Sequence, residues 1–449
     1  MRNAAALLAL AGLLVTAPVA GQMAAGTRSV AMGGGGMVFA TGVDAVDWNP
    51  ANLGWSRGWN ISLFEVGFAG LGDGLTVDEL RTILGDDQPG LNVSSVVAGL
   101  PEDGFRFTGV FEGFATAFVA ELFDVPQPGA PLPTLGIAVG PVAFRIRSRV
   151  FSDVVLSKPL ADLVGNGFEQ ERLLDYAVGN TAWRAVSLTE HTVAYGTQFG
   201  GLLSVGVAGR YVKGHKLLDG RLFEPQINIT SETLTIQSVS VESSGGSGYG
   251  LDLGLSFDLP LGFRASASGT NVFQRLTWDE SLTAHIATFT DADFDREINP
   301  DLPFDDFFNR HSAEPIDPTG VSLAVFVAGQ SLFEQSYFPQ IYRGGVGWQA
   351  GGTTLEATAV KVSPRGRFTS PWDERVSLGF EQKIPLLTLR GGYGMAKDGL
   401  STYSAGLGLR FGPVHLEVSG GKLNGGLLDW GSWEGAYLST GLQIRGGGL

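Results

Sequence analysis

Ten consecutive residues, Tyr249 to Asp258, alternate without a fault. Tyr249, Leu251, Leu253, Leu255 and Phe257 share one face, and Gly250, Asp252, Gly254, Ser256 and Asp258 share the other. Successive side chains of an extended strand point to opposite faces, so this segment reads as a two-faced β-strand. With hydrophobic residues at 44 %, such a run arises by chance in about one window per thousand in a given phase. The pattern also recurs. Leu203, Val205, Val207 and Tyr211 oppose Ser204, Gly206, Ala208 and Arg210; Val376, Leu378 and Phe380 oppose Ser377, Gly379, Glu381 and Lys383. Ala405 to Phe411, Val414 to Val418 and Leu438 to Ile444 repeat it. The chain is therefore built mainly of antiparallel strands with one apolar and one polar face.

A two-faced strand suits a soluble sandwich, apolar inward, or a membrane barrel, apolar outward. The polar faces decide for the barrel. They are mostly glycine and serine with single charges, not the Lys/Glu-rich surface of a soluble sheet. Glycine is 66 of 449 residues, about twice its usual ~7 % share, and charged residues are 17 % against a usual ~25 %. Small residues suit a crowded lumen. Trp183, Trp278, Trp348, Trp372, Trp430 and Trp433 fall near strand ends, where an interfacial girdle belongs. The fold class expected is all-β: a transmembrane antiparallel β-barrel of fourteen strands, or sixteen if the stretch 104–120 holds two.

The N-terminus agrees with export. Met1-Arg2-Asn3 is a short positive start, Ala4 to Val15 an apolar run, and Ala20-Gly21 a small-residue cleavage point. Residues 1–21 read as a signal peptide. No other apolar run approaches the ~18 residues of a spanning helix, so a membrane-embedded mature chain must be a closed barrel. This places it in the outer membrane, in contact with outer-membrane lipid. Cysteine is absent, which excludes disulfides and a lipidated cysteine. The formal net charge of −15 disfavours nucleic acid as a partner.

Turn signals set the topology. Short connections are expected at Gly140-Pro141, Phe199-Gly200-Gly201, Leu259-Pro260-Leu261, Gly351-Gly352, Ile384-Pro385 and Gly412-Pro413. Short turns face the periplasm in such barrels and long loops face outward. Parity then puts Ile227–Val241 in an outer loop although its residues read as β. Val77–Leu84 has helical spacing and reads as a short surface helix. Residues 22–58 are glycine-rich and aperiodic, which suits a plug inside the lumen, followed by the barrel over 59–449.

Ala31-Met32-Gly33-Gly34, followed by Asp47-Trp48-Asn49-Pro50-Ala51-Asn52-Leu53, resembles the N-terminal signature of the FadL-like outer-membrane barrels. Ser204 to Gly214, Gly250 to Gly254, Leu389 to Tyr393 and Ser404 to Gly408 are similar to that group's strand blocks. The group includes long-chain fatty-acid and hydrophobic-compound transporters and PorV-type secretion barrels. The resemblance implies a fourteen-stranded barrel with an N-terminal hatch. It implies passive uptake of a hydrophobic or amphipathic small-molecule ligand. The alternatives are a PorV-type scaffold, with a secretion-machinery partner, and a general porin. The end at Gly446-Gly447-Gly448-Leu449 departs from the aromatic terminus of many barrels.

Two groups of residues stand out as candidate sites. Arg145, Arg147 and Arg149 alternate with Phe144, Ile146 and Val150, so they form a basic ladder on the lumen face. The ladder either binds an anionic headgroup or pairs with lumen acids such as Asp252, Glu356, Glu381 and Glu417, or with the plug. Asn49, Pro50 and Ala51 are either a gating element or the turn that ends the plug. The acidic stretch Asp279 to Asp306 begins like a calcium loop at Asp291, but Arg296 and Leu302 break the EF-hand pattern, and a solvated outer loop is expected. There is no P-loop, G-x-S-x-G or H-E-x-x-H, and no nucleophile accompanies His415 and Glu417. No enzyme, metal or cofactor is expected.

Overall fold

The computed structural model describes residues 26–73, 105–113, 134–166, 181–222, 226–228, 233–280, 283–290, 312–315, 340–363, 374–397, 399–424 and 435–447. The proposed signal peptide, the helix at Val77–Leu84, the acids from Asp291 to Asp306, and Trp372, Trp430 and Trp433 lie outside these residues.

Chain order gives β1 (Trp59–Asp73), β2 (Phe105–Glu112), β3 (Leu135–Val139), β4 (Val142–Leu156), β5 (Ala182–Phe199) and β6 (Leu203–Leu222). Then come β7 (Gln226–Asn228), β8 (Thr233–Ser243), β9 (Gly245–Asp258), β10 (Phe263–Glu280), β11 (Thr283–Thr290) and β12 (Ser312–Pro315). The last are β13 (Gln340–Ala350), β14 (Thr353–Ser363), β15 (Glu374–Lys383), β16 (Leu387–Ala396), β17 (Ser401–Phe411), β18 (Val414–Leu423) and β19 (Gly435–Gly446). Neighbours pair antiparallel, and β1 closes the ring on β19, from Trp59 opposite Gly446 to Leu71 opposite Gly435.

Fourteen strands make the wall. β2 and β3 are two pieces of one of them, because both pair with β1 on one side and β4 on the other. Within the stretch 104–120 the described strand, Phe105–Glu112, supplies half a strand, and the closed ring counts fourteen. β7, β8, β11 and β12 lie outside the ring. β6 has 20 residues, about twice what a tilted strand needs to span. Its far half carries β8, which in turn pairs with β11. Ile227–Val241 is thus beyond the wall, yet much of it is laddered sheet rather than loop. The backbone groups of the projecting β6 find partners there.

All six short connections stand at one end of the barrel. Outward faces carry exposed Leu253, Leu255, Leu378, Leu416 and their neighbours, and inward faces carry buried Ser, Thr, Gly and charged residues. Two aromatic belts bracket the apolar band. Trp59, Tyr195, Phe199, Phe257, Phe263 and Phe411 mark the short-turn end, and Tyr211, Tyr249, Phe273, Tyr342 and Tyr393 the other. On β9, Tyr249 and Phe257 are eight residues apart, about 27 Å along the strand and ~20 Å along the normal after tilt. That is close to the apolar band of about 25 Å on such barrels. Trp278 does not join the girdle. It shares the face of Ser268, which bonds the N-terminal segment, and is buried in the lumen. No helix among the described residues is long and apolar enough to cross a membrane.

Candidate functional site

Residues 26–57 have no sheet to satisfy their backbone. The inward side chains of the wall do it instead. Thr27 N donates to Glu65 Oε1 at 2.9 Å, Gly33 N to Ser404 Oγ at 2.8 Å, and Val38 N to Glu356 Oε1 at 2.7 Å. Val43 N donates to Asn60 Oδ1 at 2.9 Å; Ser268 Oγ donates to Trp48 O and Ser204 Oγ to Ala51 O, at 2.7 and 2.6 Å. These partners come from β1, β6, β10, β14 and β17, spread around the ring. The segment is enclosed by the wall.

Asn49, Pro50 and Ala51 lie at its short-turn end. Asn49 Nδ2 donates to Leu255 O at 2.9 Å, and Asn49 Oδ1 accepts from Ala51 N at 3.1 Å. Asn49 caps a 3₁₀ turn, Pro50–Trp55, with proline at the first position, where its missing N–H costs nothing. Two wall glycines make room. A Cβ on Gly254 would sit 2.0 Å from Asn49 Oδ1, and one on Gly206 would sit 2.2 Å from Ala51 N. Asn49 and Ala51 are fully buried.

The arginine ladder is woven into carboxylates. Arg145 forms an ion pair with Asp47 of the enclosed segment and donates to Glu65 of β1. Arg147 also donates to Asp47 and lies 3.7 Å from Glu112. Arg149 pairs with Glu190 of β5 and approaches Glu112 at 3.9 Å. Arg210 continues the lattice, to Glu190 and Asp252 at 2.7 Å each. Same-face arginines about 7 Å apart repel, and the interleaved carboxylates remove that repulsion. The acids that hold the ladder are Asp47, Glu65, Glu112 and Glu190. Those singled out from sequence belong to other pairs: Asp252 to Arg210, Glu356 and Glu381 to Arg28, and Glu417 to Arg390. Register, which alternation alone does not reveal, makes the difference.

A second lattice lies across the lumen. Arg28 of the enclosed segment meets Glu356 at 3.7 Å and Glu381 at 3.3 Å. Arg390 joins Glu381 and Glu417 at 2.7 and 3.0 Å. The segment thus presents Asp47 to a basic wall and Arg28 to an acidic one. Among the described residues, no group of His, Asp and Glu could hold a metal ion.

Toward the long-connection end the inward face changes character. Phe151, Leu188, Val212, Leu276, Trp278 and Tyr437 belong to one buried apolar cluster that reaches Val30 of the enclosed segment. Ile341, Val360 and Val362 form another. Here both faces of the strands are apolar, as at Val150-Phe151 and Tyr211-Val212. Loss of alternation is the sequence signal of this region, and it is hidden wherever every apolar face is taken as lipid-facing.

Among the described residues, the wall strand between β1 and β4 is in two pieces. The ladder of β2 ends at Gly113, whose N–H bonds Ser148 O at 3.0 Å, and β3 resumes it at Leu135. A Cβ on Gly113 would lie 3.6 Å from Thr134 Oγ1, so the two ends stand side by side. Glu65, Glu112 and Arg147 border the break, and Arg145 and Arg147 connect it to Asp47.

No family model and no curated protein matches the sequence. The fold nevertheless has solved counterparts. The toluene transporter TbuX of Ralstonia pickettii is 14 % identical, over 94 % of this chain and 99 % of its own, with a TM-score of 0.51. A TodX monoaromatic hydrocarbon channel, the deltaS2 mutant, is also 14 % identical, over 94 % and 98 %, at 0.52. The chain shares the barrel fold of these two proteins. Its strand count and ring closure agree with those that the sequence resemblance implies.

Proposed function

We propose that this FadL-like barrel, set in the outer membrane after removal of residues 1–21, admits neutral, largely apolar small molecules without energy coupling. One observation carries the reading: the apolar cluster of Phe151, Leu188, Val212, Leu276 and Trp278 on the inward face. A water-filled pore lines its interior with polar groups. An apolar lining above a polar floor is what a hydrophobic ligand site requires. The solved counterparts are named for toluene and monoaromatic hydrocarbons, cargo of the same kind. The arginine ladder, matched by carboxylates, serves as a structural lattice and not as an anion receptor.

In this reading residues 22–58 are the plug, and Asn49, Pro50 and Ala51 anchor it at the periplasmic mouth. Cargo enters from the long-connection end, rests on the apolar lining, and leaves sideways at the break between Gly113 and Leu135. A lateral exit keeps apolar cargo out of water. The lattice around Asp47 couples the plug to that break. The test is flux through the purified full-length protein in vesicles. Toluene should cross faster than through protein-free vesicles, and glucose should not. A steady ionic current and glucose flux in the intact protein would replace this reading with a porin.

A further inference from the structure

Four basic residues occupy equivalent places at the short-turn end. Lys383 of β15, Arg410 of β17, His415 of β18 and Arg445 of β19 are each the last inward-facing position of their strand there. Arg410 stands opposite His415, and His415 opposite Gln443, whose Oε1 accepts from Arg445 Nε at 2.9 Å. Elsewhere around this mouth the same place holds neutral residues such as Asn60, Ala143 and Ser204, or the matched pair Arg264–Asp258 at 3.2 Å. The basic arc also faces water. The Lys383 side chain is 41 % exposed, and Arg410 and His415 are part-buried.

The carboxylates in reach do not match it. Glu381 lies 3.4 Å from Lys383 but also holds Arg28 and Arg390. Glu417 lies 4.0 Å from Arg445 but also holds Arg390, and Asp44 of the plug is 3.8 Å from Arg445. Among the described residues Arg410 has no carboxylate within salt-bridge distance. Its Nη2 donates to Ile384 O of the neighbouring turn, and its buried Nε has no acceptor. Among the described residues His415 makes no hydrogen bond, and the charged groups around it are Arg445, Glu417, Arg410 and Arg390. Once Glu356, which Arg28 also meets, is included, five permanent cations face four carboxylates before His415 is counted. Like charges held this close repel, and a bound anion removes the repulsion.

We propose that Arg410, His415 and Arg445 form an oxyanion site at this mouth, with Lys383 at its margin, and that its ligand chemistry is phosphate. β17, β18 and β19 are neighbours, so the site is about 10 Å wide, two inter-strand spacings. That width suits one small anion reached by long side chains, not the surface of a protein. A carboxylate presents one flat edge that a single arginine covers, whereas a phosphate offers oxygens to donors converging from three strands. Two sources supply this chemistry. One is the free ion of the aqueous phase. The other is the headgroup of a lipid whose chains lie along Leu386 and Phe411, exposed outward at the same turns. Bound there, the anion bridges three strands of the wall beside Asp44. The site is independent of which cargo crosses the barrel.

The test uses the full-length protein in a nonionic detergent without phosphate. Its unfolding midpoint is followed as sodium phosphate is added, beside a sodium chloride series of equal ionic strength that measures screening alone. Phosphate should raise the midpoint saturably above the chloride series, because a ligand that binds the folded state stabilises it. Arg410→Gln should raise the half-saturating concentration about tenfold or more, the loss of one charge-assisted hydrogen bond. His415→Gln should weaken binding less, and it carries the test if Arg410→Gln fails to fold. Lys361→Gln, exposed at the far end of β14, should leave the response unchanged. Dihexanoyl phosphatidate is the lipid arm, with dihexanoylglycerol as its phosphate-free control. Saturation by phosphatidate at a lower concentration than by inorganic phosphate assigns the site to a lipid headgroup, and the reverse order assigns it to the free ion. A phosphate series that tracks chloride, with phosphatidate no better than dihexanoylglycerol, would overturn the proposal. So would a phosphate response that Arg410→Gln leaves intact.

Discussion

Arg28 Nε in the plug donates to Glu381 on β15 at 3.3 Å, across 353 residues of chain. Both side chains are buried in the lumen. The contact pins the N-terminal arm of the plug to the wall opposite the one that holds Asp47. Breaking one partner of a buried pair typically costs about 3–5 kcal/mol, because the other charge stays buried. Arg28→Ala should therefore loosen the arm. We expect a lower unfolding temperature and flickering currents in planar bilayers. A silent bilayer with unchanged stability would show that the arm is held by other means.

Arg147→Gln addresses the ladder. Asp47 keeps Arg145, and Glu112 keeps only the 3.9 Å approach of Arg149. Barrel stability should fall by about 3–5 kcal/mol, read as a lower temperature for the heat-dependent gel shift. Uptake of anionic and neutral amphiphiles should suffer alike. A selective loss of the anionic class would instead make the ladder a headgroup receptor.

Gly254→Ala places a methyl where Asn49 Oδ1 now lies, 2.0 Å from the ideal Cβ position. The neighbour must yield, so the anchor at Asn49-Pro50-Ala51 should detach from β9. Limited proteolysis from the short-turn side should then cut the plug, while the wild type resists. Gly209→Ala is the control, since an added Cβ there meets nothing within 4 Å. Equal resistance of all three proteins would remove the anchor from the account.

Deleting residues 114–133 joins Gly113 to Thr134, which already stand side by side. The shortened chain should still show the heat-dependent gel shift. Its uptake of toluene should drop most of the way to background, because the wall can then no longer part at the proposed exit. Undiminished uptake would point to release through the lumen.

The full-length protein should fractionate with the outer membrane. Recovery from the soluble periplasmic fraction would contradict the two aromatic belts on its outward face.

Much of this architecture is local and so was legible in the sequence. Alternation at Tyr249–Asp258 depends only on the period-two geometry of a strand. Gly140-Pro141 and Gly412-Pro413 mark turns because their own backbones favour them. Orientation of the arginines at 145, 147 and 149 follows from the cost of about 2–4 kcal/mol for each on the lipid face. Other features depend on which strands meet and in what register. Asp47 reaches Arg145 and Arg147 only because the plug folds back across the ring, and Glu190 meets Arg149 only through the pairing of β4 with β5. Trp278 points inward by its parity with Ser268, and the break at Gly113 exists because β2 and β3 share the same two neighbours. A residue's own period fixes its face, whereas its partner across the lumen is set by ring closure, which sums register over every strand in the wall.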